Sequence, residues 1–217
     1  MKKKQTLDLS LYLVTDRRLA QNRPLQELVK RAVSGGVTVV QLREKDCSSR
    51  EFLELALEIK KVLTPEIPLI INDRLDIALA AKADGLHLGQ TDLPVEVARK
   101  LLGPRAIIGL SVETSEQLTR ARNLPVDYLA LSPVFLTSTK TDTAPAWGLE
   151  GIAEARKITS QPLVAIGGLN KTNVPEVIKA GADGVAVVSA ICAAEDPEEA
   201  ARNLRRLVDE ARKIREI

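Results

Sequence analysis

The chain has 217 residues, of which 45% are apolar and 28% charged, the balance of one folded globular domain rather than of a disordered chain. Lys and Arg number 31 against 29 for Asp and Glu, so net charge does not favour nucleic acid or a membrane surface as a partner. Aromatic residues make up only 2%, which argues against stacking platforms for single-stranded nucleic acid.

The N-terminus begins with Met1 and three lysines, but polar residues follow where an export signal would be apolar. No apolar run approaches the ~20 residues that a membrane-spanning helix needs. Cys47 and Cys192 are too few and too isolated for a disulfide framework or a zinc site. We therefore expect a cytoplasmic protein with reduced thiols and no membrane partner.

Short apolar runs recur along the whole chain, each followed by a polar or Gly-containing turn and an amphipathic stretch. Runs of this length that are rich in Val, Ile and Leu are typical of strands buried on both faces, as in a parallel sheet. The predicted strands are 11–15, 37–43, 68–73, 85–89, 106–112, 127–133, 162–168 and 184–190.

Helical patterns lie between these strands. A proline at the start and glycines at the end mark 24–36 as the first helix, and 49–63 has an apolar face with a serine cap before it. Segments 80–85 and 178–184 resemble each other, as duplicated βα units would. The stretch 197–217 predicts a final helix with a solvated face.

Eight alternating strands and helices predict a single-domain (β/α)8 TIM barrel over residues 1–217, with its core at about 11–200. The chain is shorter than the ~250 residues usual for this fold, so its loops must be short. A doubly wound open sheet is the alternative, because strand number does not show closure. Residues 134–148 form one long connection that is rich in Thr, Ser and Pro, and we consider it a candidate lid.

The active site of a TIM barrel lies at the C-terminal ends of its strands, so polar residues there are site candidates. Strand two ends in QLREK, and a two-residue period places Gln41, Arg43 and Lys45 on one side. Burying such basic groups without partners is costly, which favours an anionic ligand. A salt bridge to Asp73 or Glu44 is the alternative.

Carboxylates follow the next two strands. Strand three ends in Asn72 and Asp73, and Gln90 and Asp92 follow strand four. Adjacent strands lie about 4.8 Å apart, so the two carboxylates can share one hard cation. Two carboxylates with water and phosphate oxygens are typical ligands of Mg²⁺, so we predict a metal-bound diphosphate here. Helix capping is the alternative role for both acids.

The opposite side of the barrel mouth carries Gly167 and Gly168 after strand seven, and Val188 and Ser189 after strand eight. Loops in these two positions form the recurrent phosphate site of TIM barrels, and glycine lets backbone approach an anion closely. A simple turn is the alternative reading of the glycine pair.

Two anion sites facing each other across a small barrel imply two phosphorylated small-molecule substrates whose reactive ends meet at the centre. Displacing diphosphate requires stabilisation of its growing negative charge, and Mg²⁺, Arg43, Lys45 and Lys140 are suited to this. No nucleophile–base pair accompanies them. His87 is the only histidine, for which we expect a structural or orienting role, and the cysteines lack a neighbouring histidine for covalent catalysis.

Taken together, these residues resemble the thiamine phosphate synthase family over about 11–200. The resemblance rests on eight motifs in order: LVTD (13–16), QLREK (41–45), IND (71–73), HLGQTD (87–92), GLS (109–111), TSTK (137–140), IGG (166–168) and VVSAI (187–191).

The resemblance implies a transferase that joins an aminopyrimidine diphosphate to a thiazole phosphate, giving thiamine phosphate and diphosphate. Asp73 and Asp92 would bind Mg²⁺, and Arg43, Lys45, Ser111 and Lys140 would be catalytic. The pyrimidine diphosphate would be held by Gln41, Leu42, Arg43, Glu44, Lys45, Asn72, Ser111 and Lys140. The thiazole phosphate would be held by Thr137, Ser138, Thr139, Gly168, Val188 and Ser189.

The mechanism that the resemblance implies begins with departure of diphosphate, after which the thiazole nitrogen captures a pyrimidine carbocation. A thiazole tautomerase on the same barrel is one alternative function, although it should need no metal–diphosphate site. A non-catalytic protein that binds a phosphorylated ligand is another. Whether the chain forms a homo-oligomer is left open by the sequence.

Overall fold

A computed structural model of the chain describes residues 7–20, 23–136 and 145–215. Within them, eight parallel strands pair in chain order and β1 also pairs with β8, so the sheet is a closed barrel. This closure confirms the predicted TIM barrel and excludes the open sheet. The strands are β1 Leu11–Val14, β2 Val39–Leu42, β3 Leu69–Asn72, β4 Gly85–Leu88, β5 Ile107–Val112, β6 Tyr128–Leu131, β7 Leu163–Ile166 and β8 Gly184–Val187.

Helices surround the barrel, and none in the described ranges has the length and apolar character to cross a bilayer. Eight helices were expected, but two follow β8, because α8 ends after a single turn and the chain begins a new helix at Pro197. The helices are α1 Leu25–Ser34, α2 Ser49–Val62, α3 Leu75–Ala80, α4 Val95–Leu102, α5 Ser115–Ala121, α6 Gly148–Ile158, α7 Val174–Lys179, α8 Ser189–Cys192 and α9 Pro197–Arg215, and a 3-10 turn covers Arg17–Ala20.

Strand residues alternate between two apolar layers, as the two-residue period of a strand dictates. In β1, Leu11 and Leu13 pack between the sheet and the helices, whereas Tyr12 and Val14 point into the barrel. The interior is therefore a packed core, with Tyr12 and Tyr128 as its largest side chains. The buried polar side chains of the strands, such as Gln41, Asn72 and His87, lie in their C-terminal halves.

The two ends of the barrel are built differently. At the end where the strands begin, the carboxylates of Asp84, Asp127 and Asp183 each accept the first or second N–H of the preceding strand, at 2.8–2.9 Å. These aspartates precede β4, β6 and β8, so the same contact recurs around the barrel. It fixes the register at this end, and the opposite end remains free for a site.

Candidate active site

A cavity of about 680 Å³ opens at the C-terminal ends of the strands. Residues from all eight strands or the loops after them contribute to its wall, and ten of the predicted site residues are among them. Those ten are Gln41, Arg43, Lys45, Asn72, Asp73, Asp92, Ser111, Gly168, Val188 and Ser189.

Two predicted residues point away from this cavity. Leu42 is fully buried in the layer between sheet and helices. The Glu44 carboxylate turns outward and accepts from Arg17 at 2.5 Å. Strand alternation explains both, because they occupy the opposite parity to Gln41, so only their backbone lies near the cavity. Four further predicted residues lie outside the described residues: Thr137, Ser138, Thr139 and Lys140.

The basic end of β2 is only partly as expected. Lys45 is exposed rather than buried, and its Nζ lies 2.5 Å from Asp73 Oδ2, so the predicted alternative of an ion pair holds for this lysine. Arg43 is half-buried, and its backbone N–H donates to Thr15 Oγ1 at 3.1 Å. In the described ranges, no carboxylate lies within salt-bridge distance of the Arg43 guanidinium, which therefore faces the cavity with its charge available.

Asp73 and Asp92 form an acidic pair at the ends of β3 and β4. The backbone of Asp73 is left-handed, with φ 60°, and its N–H donates to His87 O at 2.8 Å. Asp92 Oδ2 accepts from the Gly89 N–H at 2.7 Å. The pKa of Asp92 is raised, first because burial disfavours its charge and then because the Asp73 carboxyl group lies beside it. A cation between the two groups would relieve this repulsion.

The acidic pair fits Mg²⁺ in its donor chemistry, since both ligands are hard carboxylate oxygens. Among the described residues, no third acidic, histidine or cysteine side chain joins them in a metal-binding group. Such a sparse set of protein ligands suits Mg²⁺, which usually retains several waters and takes its other ligands from substrate phosphates.

A chain of four hydrogen bonds crosses the inside of the barrel, and its residues form part of the cavity wall. Gln41 Nε2 donates to Tyr12 Oη at 2.8 Å, and Tyr12 Oη lies 2.7 Å from Tyr128 Oη. Tyr128 Oη lies 2.8 Å from His87 Nδ1, and His87 Nε2 lies 2.9 Å from Ser111 Oγ. We call these five residues the polar chain. It joins two predicted ligand-binding residues, Gln41 and Ser111, through side chains buried in the barrel.

His87 is held in the neutral form by this environment. Burial lowers the pKa of its imidazole to about 4. The ring stacks on Tyr128 with centroids 5.6 Å apart. Gly109 makes room for this arrangement, because a Cβ there would lie 2.0 Å from Tyr128 Cζ. These contacts suit the orienting role expected of His87.

Sequence reasoning missed Tyr12 and Tyr128. Each lies in an apolar strand run, where a tyrosine is usually a core residue. The available signal was chemical, since a buried phenol needs a hydrogen-bond partner. The parity of β1 placed the Tyr12 hydroxyl inside the barrel, and Gln41 on β2 was the neighbouring polar group.

The opposite wall of the cavity has the features expected of a phosphate site. Gly168 has φ 64°, and a Cβ there would lie 2.7 Å from Leu136 O, so only glycine suits the position. Asn173 Nδ2 donates to Gly168 O at 2.9 Å, and this brace was not predicted from the sequence. Ser189 begins α8, where backbone N–H groups lack helical acceptors.

The two ends of the long connection 134–148 meet at the barrel. Trp147 N–H donates to Pro133 O and Gly148 N–H donates to Val134 O, both at 2.9 Å. The Trp147 indole also donates to Val112 O at 3.3 Å, so this half-buried ring packs at the base of the connection. The residues predicted to act as a lid lie mostly outside the described ranges.

The arrangement agrees with what comparison with known proteins finds. The sequence model for thiamine monophosphate synthase matches residues 11–191. The chain belongs to this family. The resemblance inferred from its motifs is thereby confirmed, and with it an enzyme of the transferase class that acts in thiamine biosynthesis.

Relatives match over nearly their whole length. The thiamine-phosphate synthase of Albidiferax ferrireducens is 58% identical over 202 residues, which are 93% of this chain and 92% of that protein. The thiamine-phosphate synthase of Vibrio parahaemolyticus is 53% identical over 201 residues, covering 92% and 98% of the two chains.

Solved structures agree with the fold. Thiamine phosphate pyrophosphorylase from Pyrococcus furiosus superposes with a TM-score of 0.86 at 40% identity, covering 95% of this chain and 98% of that one. A 3-hexulose-6-phosphate synthase superposes with a TM-score of 0.70 at 19% identity, covering 91% and 99%, which shows a shared barrel and no more.

Proposed function

We propose that this enzyme joins an aminopyrimidine diphosphate to a thiazole phosphate, releasing diphosphate and forming thiamine phosphate. The observation that carries the proposal is one cavity with unlike walls. An acidic pair lies beside Arg43 and Lys45 on one wall, and the Gly168 turn faces them near the start of α8. This suits a metal-bound diphosphate on one side and a monophosphate on the other.

Most of the residues that would bind the first substrate lie on β2 to β5 or in the loops after these strands. Asp73 and Asp92 would hold Mg²⁺, which when bound supplies positive charge to the diphosphate oxygens. Arg43 and Lys45 add two more positive charges, and Lys140 belongs to the same proposed set. Gln41, Asn72 and Ser111 would orient the pyrimidine by hydrogen bonds.

The second substrate would be held at the other wall. Backbone N–H groups at Gly168, Val188 and Ser189 would bind the thiazole phosphate, and we assign Thr137, Ser138 and Thr139 to the same role. Asn173 supports this wall, since its side chain donates to the Gly168 carbonyl and so holds the peptide between Gly168 and Leu169.

The proposed reaction needs charge stabilisation more than proton transfer. The C–O bond to diphosphate breaks, its electrons leave with the diphosphate, and the thiazole nitrogen lone pair forms the new C–N bond. That nitrogen carries no hydrogen, so forming the bond releases no proton. Basic side chains facing the leaving group are therefore of more use than a general base.

The decisive test is thiamine phosphate formation from both substrates, detected after oxidation to fluorescent thiochrome. EDTA should abolish product and added Mg²⁺ should restore it. Asp92→Asn should lower kcat about 100-fold or more, by analogy with the loss of one transition-state stabiliser. As a matched control, Asp76→Asn removes an exposed carboxylate that pairs with Arg74, and kcat should stay near the wild-type value.

Each result has a distinct meaning. Full activity in EDTA would remove the metal from the proposal while leaving the reaction intact. Thiazole phosphate binding without any product would instead favour the tautomerase or a binding protein.

We also propose a cytoplasmic location, because Cys47 and Cys192 are both free thiols, which suits a reducing compartment.

A further inference from the structure

We infer that the polar chain has one direction, with every hydrogen donated from Gln41 toward Ser111, so that the Ser111 hydroxyl is left to donate into the cavity. Tyr12 and Tyr128 are then positioning residues, which act on a substrate only through the two ends of the polar chain, Gln41 and Ser111. The consequence for catalysis rests on the proposed function, but the direction itself is a property of the protein without substrate.

The direction starts at the amide of Gln41. An amide nitrogen has hydrogens and no lone pair to offer, so Gln41 Nε2 donates to Tyr12 Oη. Tyr12 then has its single hydrogen left for its other neighbour, Tyr128 Oη. Tyr128 receives that hydrogen and must use its own on His87 Nδ1.

The same argument fixes the tautomer of the His87 imidazole. Because Nδ1 accepts, the neutral ring carries its hydrogen on Nε2 and donates it to Ser111 Oγ. Ser111 thereby has an occupied lone pair and a hydroxyl hydrogen with no acceptor in the polar chain. Gln90 Nε2 donates to the Ser111 carbonyl, which holds the residue's backbone against β4.

Burial makes the direction all-or-none. Tyr12 is 1% exposed and Tyr128 is fully buried, so water does not substitute for a missing partner. Reversing one link alone would place two hydrogens or two lone pairs against each other, and a buried polar group without a partner is costly. The polar chain therefore has two coherent directions, and the Gln41 amide selects between them.

The cavity acquires a defined polarity from this selection. With its nitrogen committed to Tyr12, Gln41 presents its amide oxygen as an acceptor, while Ser111 presents a donor. A substrate group that takes the Ser111 hydroxyl hydrogen must accept a hydrogen bond, and one that meets the Gln41 amide oxygen must donate. This is a specificity rule for the proposed first substrate that neither residue would impose alone.

The imidazole reports the direction directly, because His87 is the only histidine in the chain. Long-range ¹H–¹⁵N correlation spectra of protein labelled with ¹⁵N-histidine distinguish a ring protonated at Nε2 from one protonated at Nδ1. We expect the Nε2–H tautomer to exceed the other by at least about tenfold, the ratio that one mismatched buried hydrogen bond enforces.

Two variants test the residues that never touch the imidazole. Tyr12→Phe and Gln41→Met remove the links two and three hydrogen bonds away from the ring. In each variant both directions of the polar chain become possible. The Nδ1–H tautomer should therefore become detectable, and the ratio of Nε2–H to Nδ1–H should fall severalfold. Thr38→Val is the matched control. Thr38 lies just before β2, and within the described part of the chain its buried hydroxyl bonds only to the Leu11 backbone, so the ratio should not change.

The inference fails on either of two results. A wild-type ring protonated mainly at Nδ1 would reverse the direction, and this measurement does not depend on any variant folding. A tautomer ratio that stays at the wild-type value in Tyr12→Phe or Gln41→Met would remove the selecting role of that residue. Because no substrate is present, these results are independent of whether the proposed reaction occurs.

Discussion

Burial shifts two side chains of the site in opposite senses, and for the same reason. Partial or full removal from water disfavours charge, so it lowers the pKa of His87 inside the barrel and raises that of Asp92 in the loop after β4. A neutral imidazole serves to orient Ser111. A carboxylate that is hard to ionise beside Asp73 is a strong ligand for a cation.

The shift in His87 predicts how stability depends on pH. Its pKa falls from 6.5 in the unfolded chain to about 4 in the folded protein. The unfolded state therefore binds more protons between these values, and the free energy of unfolding falls as pH drops from about 6.5 to about 4. The full interval corresponds to about 3 kcal/mol.

Urea unfolding of wild type and His87→Gln at pH 7 and pH 4 isolates this contribution from the carboxylates that titrate in the same range. The variant should lose less stability on acidification, with a difference approaching the value above. Equal losses in the two proteins would show that the imidazole is already protonated in the folded state at pH 4.

Individual side chains were predictable where parity decided their direction. The two-residue period correctly placed Gln41, Arg43 and Lys45 at one cavity wall. The motif resemblance added Leu42 and Glu44 to the binding set as a continuous segment, although the same period turns their side chains outward. The exposure of Lys45 was not predictable, because it depends on how far β2 extends before the chain turns.

Two similar turns that lead into strands differ in the residue that adopts a positive φ. Segments 80–85 and 178–184 were recognised as similar, and both carry an aspartate that caps the preceding strand. In the second, Gly181 has φ 123°; in the first, Lys82 stands at the matching position with φ 50°. Lys82 thus adopts a backbone conformation that side chains other than glycine and asparagine seldom favour.

Exchange at these positions should have opposite effects. Lys82→Gly relieves the left-handed strain, partly offset by the entropy of glycine in the unfolded chain, and should raise the free energy of unfolding by about 0.5–1 kcal/mol. Gly181→Ala should lower it by about 1–3 kcal/mol, because the backbone is strained for alanine and the new Cβ would lie 3.1 Å from Arg156 Cβ.

Urea midpoints of the two variants measure both effects against wild type. The contact from Lys60 Nζ to the Lys82 carbonyl involves backbone on the Lys82 side and is retained by the glycine variant. A destabilised Lys82→Gly would mean that the lysine side chain contributes more than its backbone conformation costs.

The molecule as a whole separates stability from function between its two ends. Helix α9 packs against α1 and α7 and reaches the end where the strands begin. There the half-buried Arg212 donates to the Asp183 carbonyl and to Ser10 Oγ, and Arg215 donates to Ala182 O at 2.8 Å. The cavity lies at the other end, so changes here should alter stability alone.

Arg212→Ala removes the donor to two polar groups that are poorly accessible to water. The free energy of unfolding should fall by about 1–3 kcal/mol, with kcat unchanged. Arg206→Ala on the same helix is the control, because its ion pair with Glu210 is exposed and its loss should change stability by no more than about 0.5 kcal/mol. Urea unfolding compares the two, and equal effects would show that the hydrogen bonds of Arg212 contribute no more than an exposed ion pair.

Closure of the barrel was the part of the fold that local pattern left undecided. Each strand was visible in its apolar run, and α9 began at the expected Pro197. Pairing of β1 with β8 joins segments at opposite ends of the chain, and no local period encodes it. The site motifs favoured the barrel because they matched strand ends that only closure brings around one mouth.

Hydrogen bonds join Pro133 to Trp147 and Val134 to Gly148, so the two ends of the long connection are held together. The segment between them can therefore be exchanged as a unit. Both of its ends are anchored to the barrel at one place, so a replacement of different length or composition would not displace the strands. Segments from related synthases that keep a lysine at position 140 could be grafted between Leu136 and Pro145, while the proposed catalytic residues stay constant. Selectivity for the second substrate would then be open to directed evolution independently of stability.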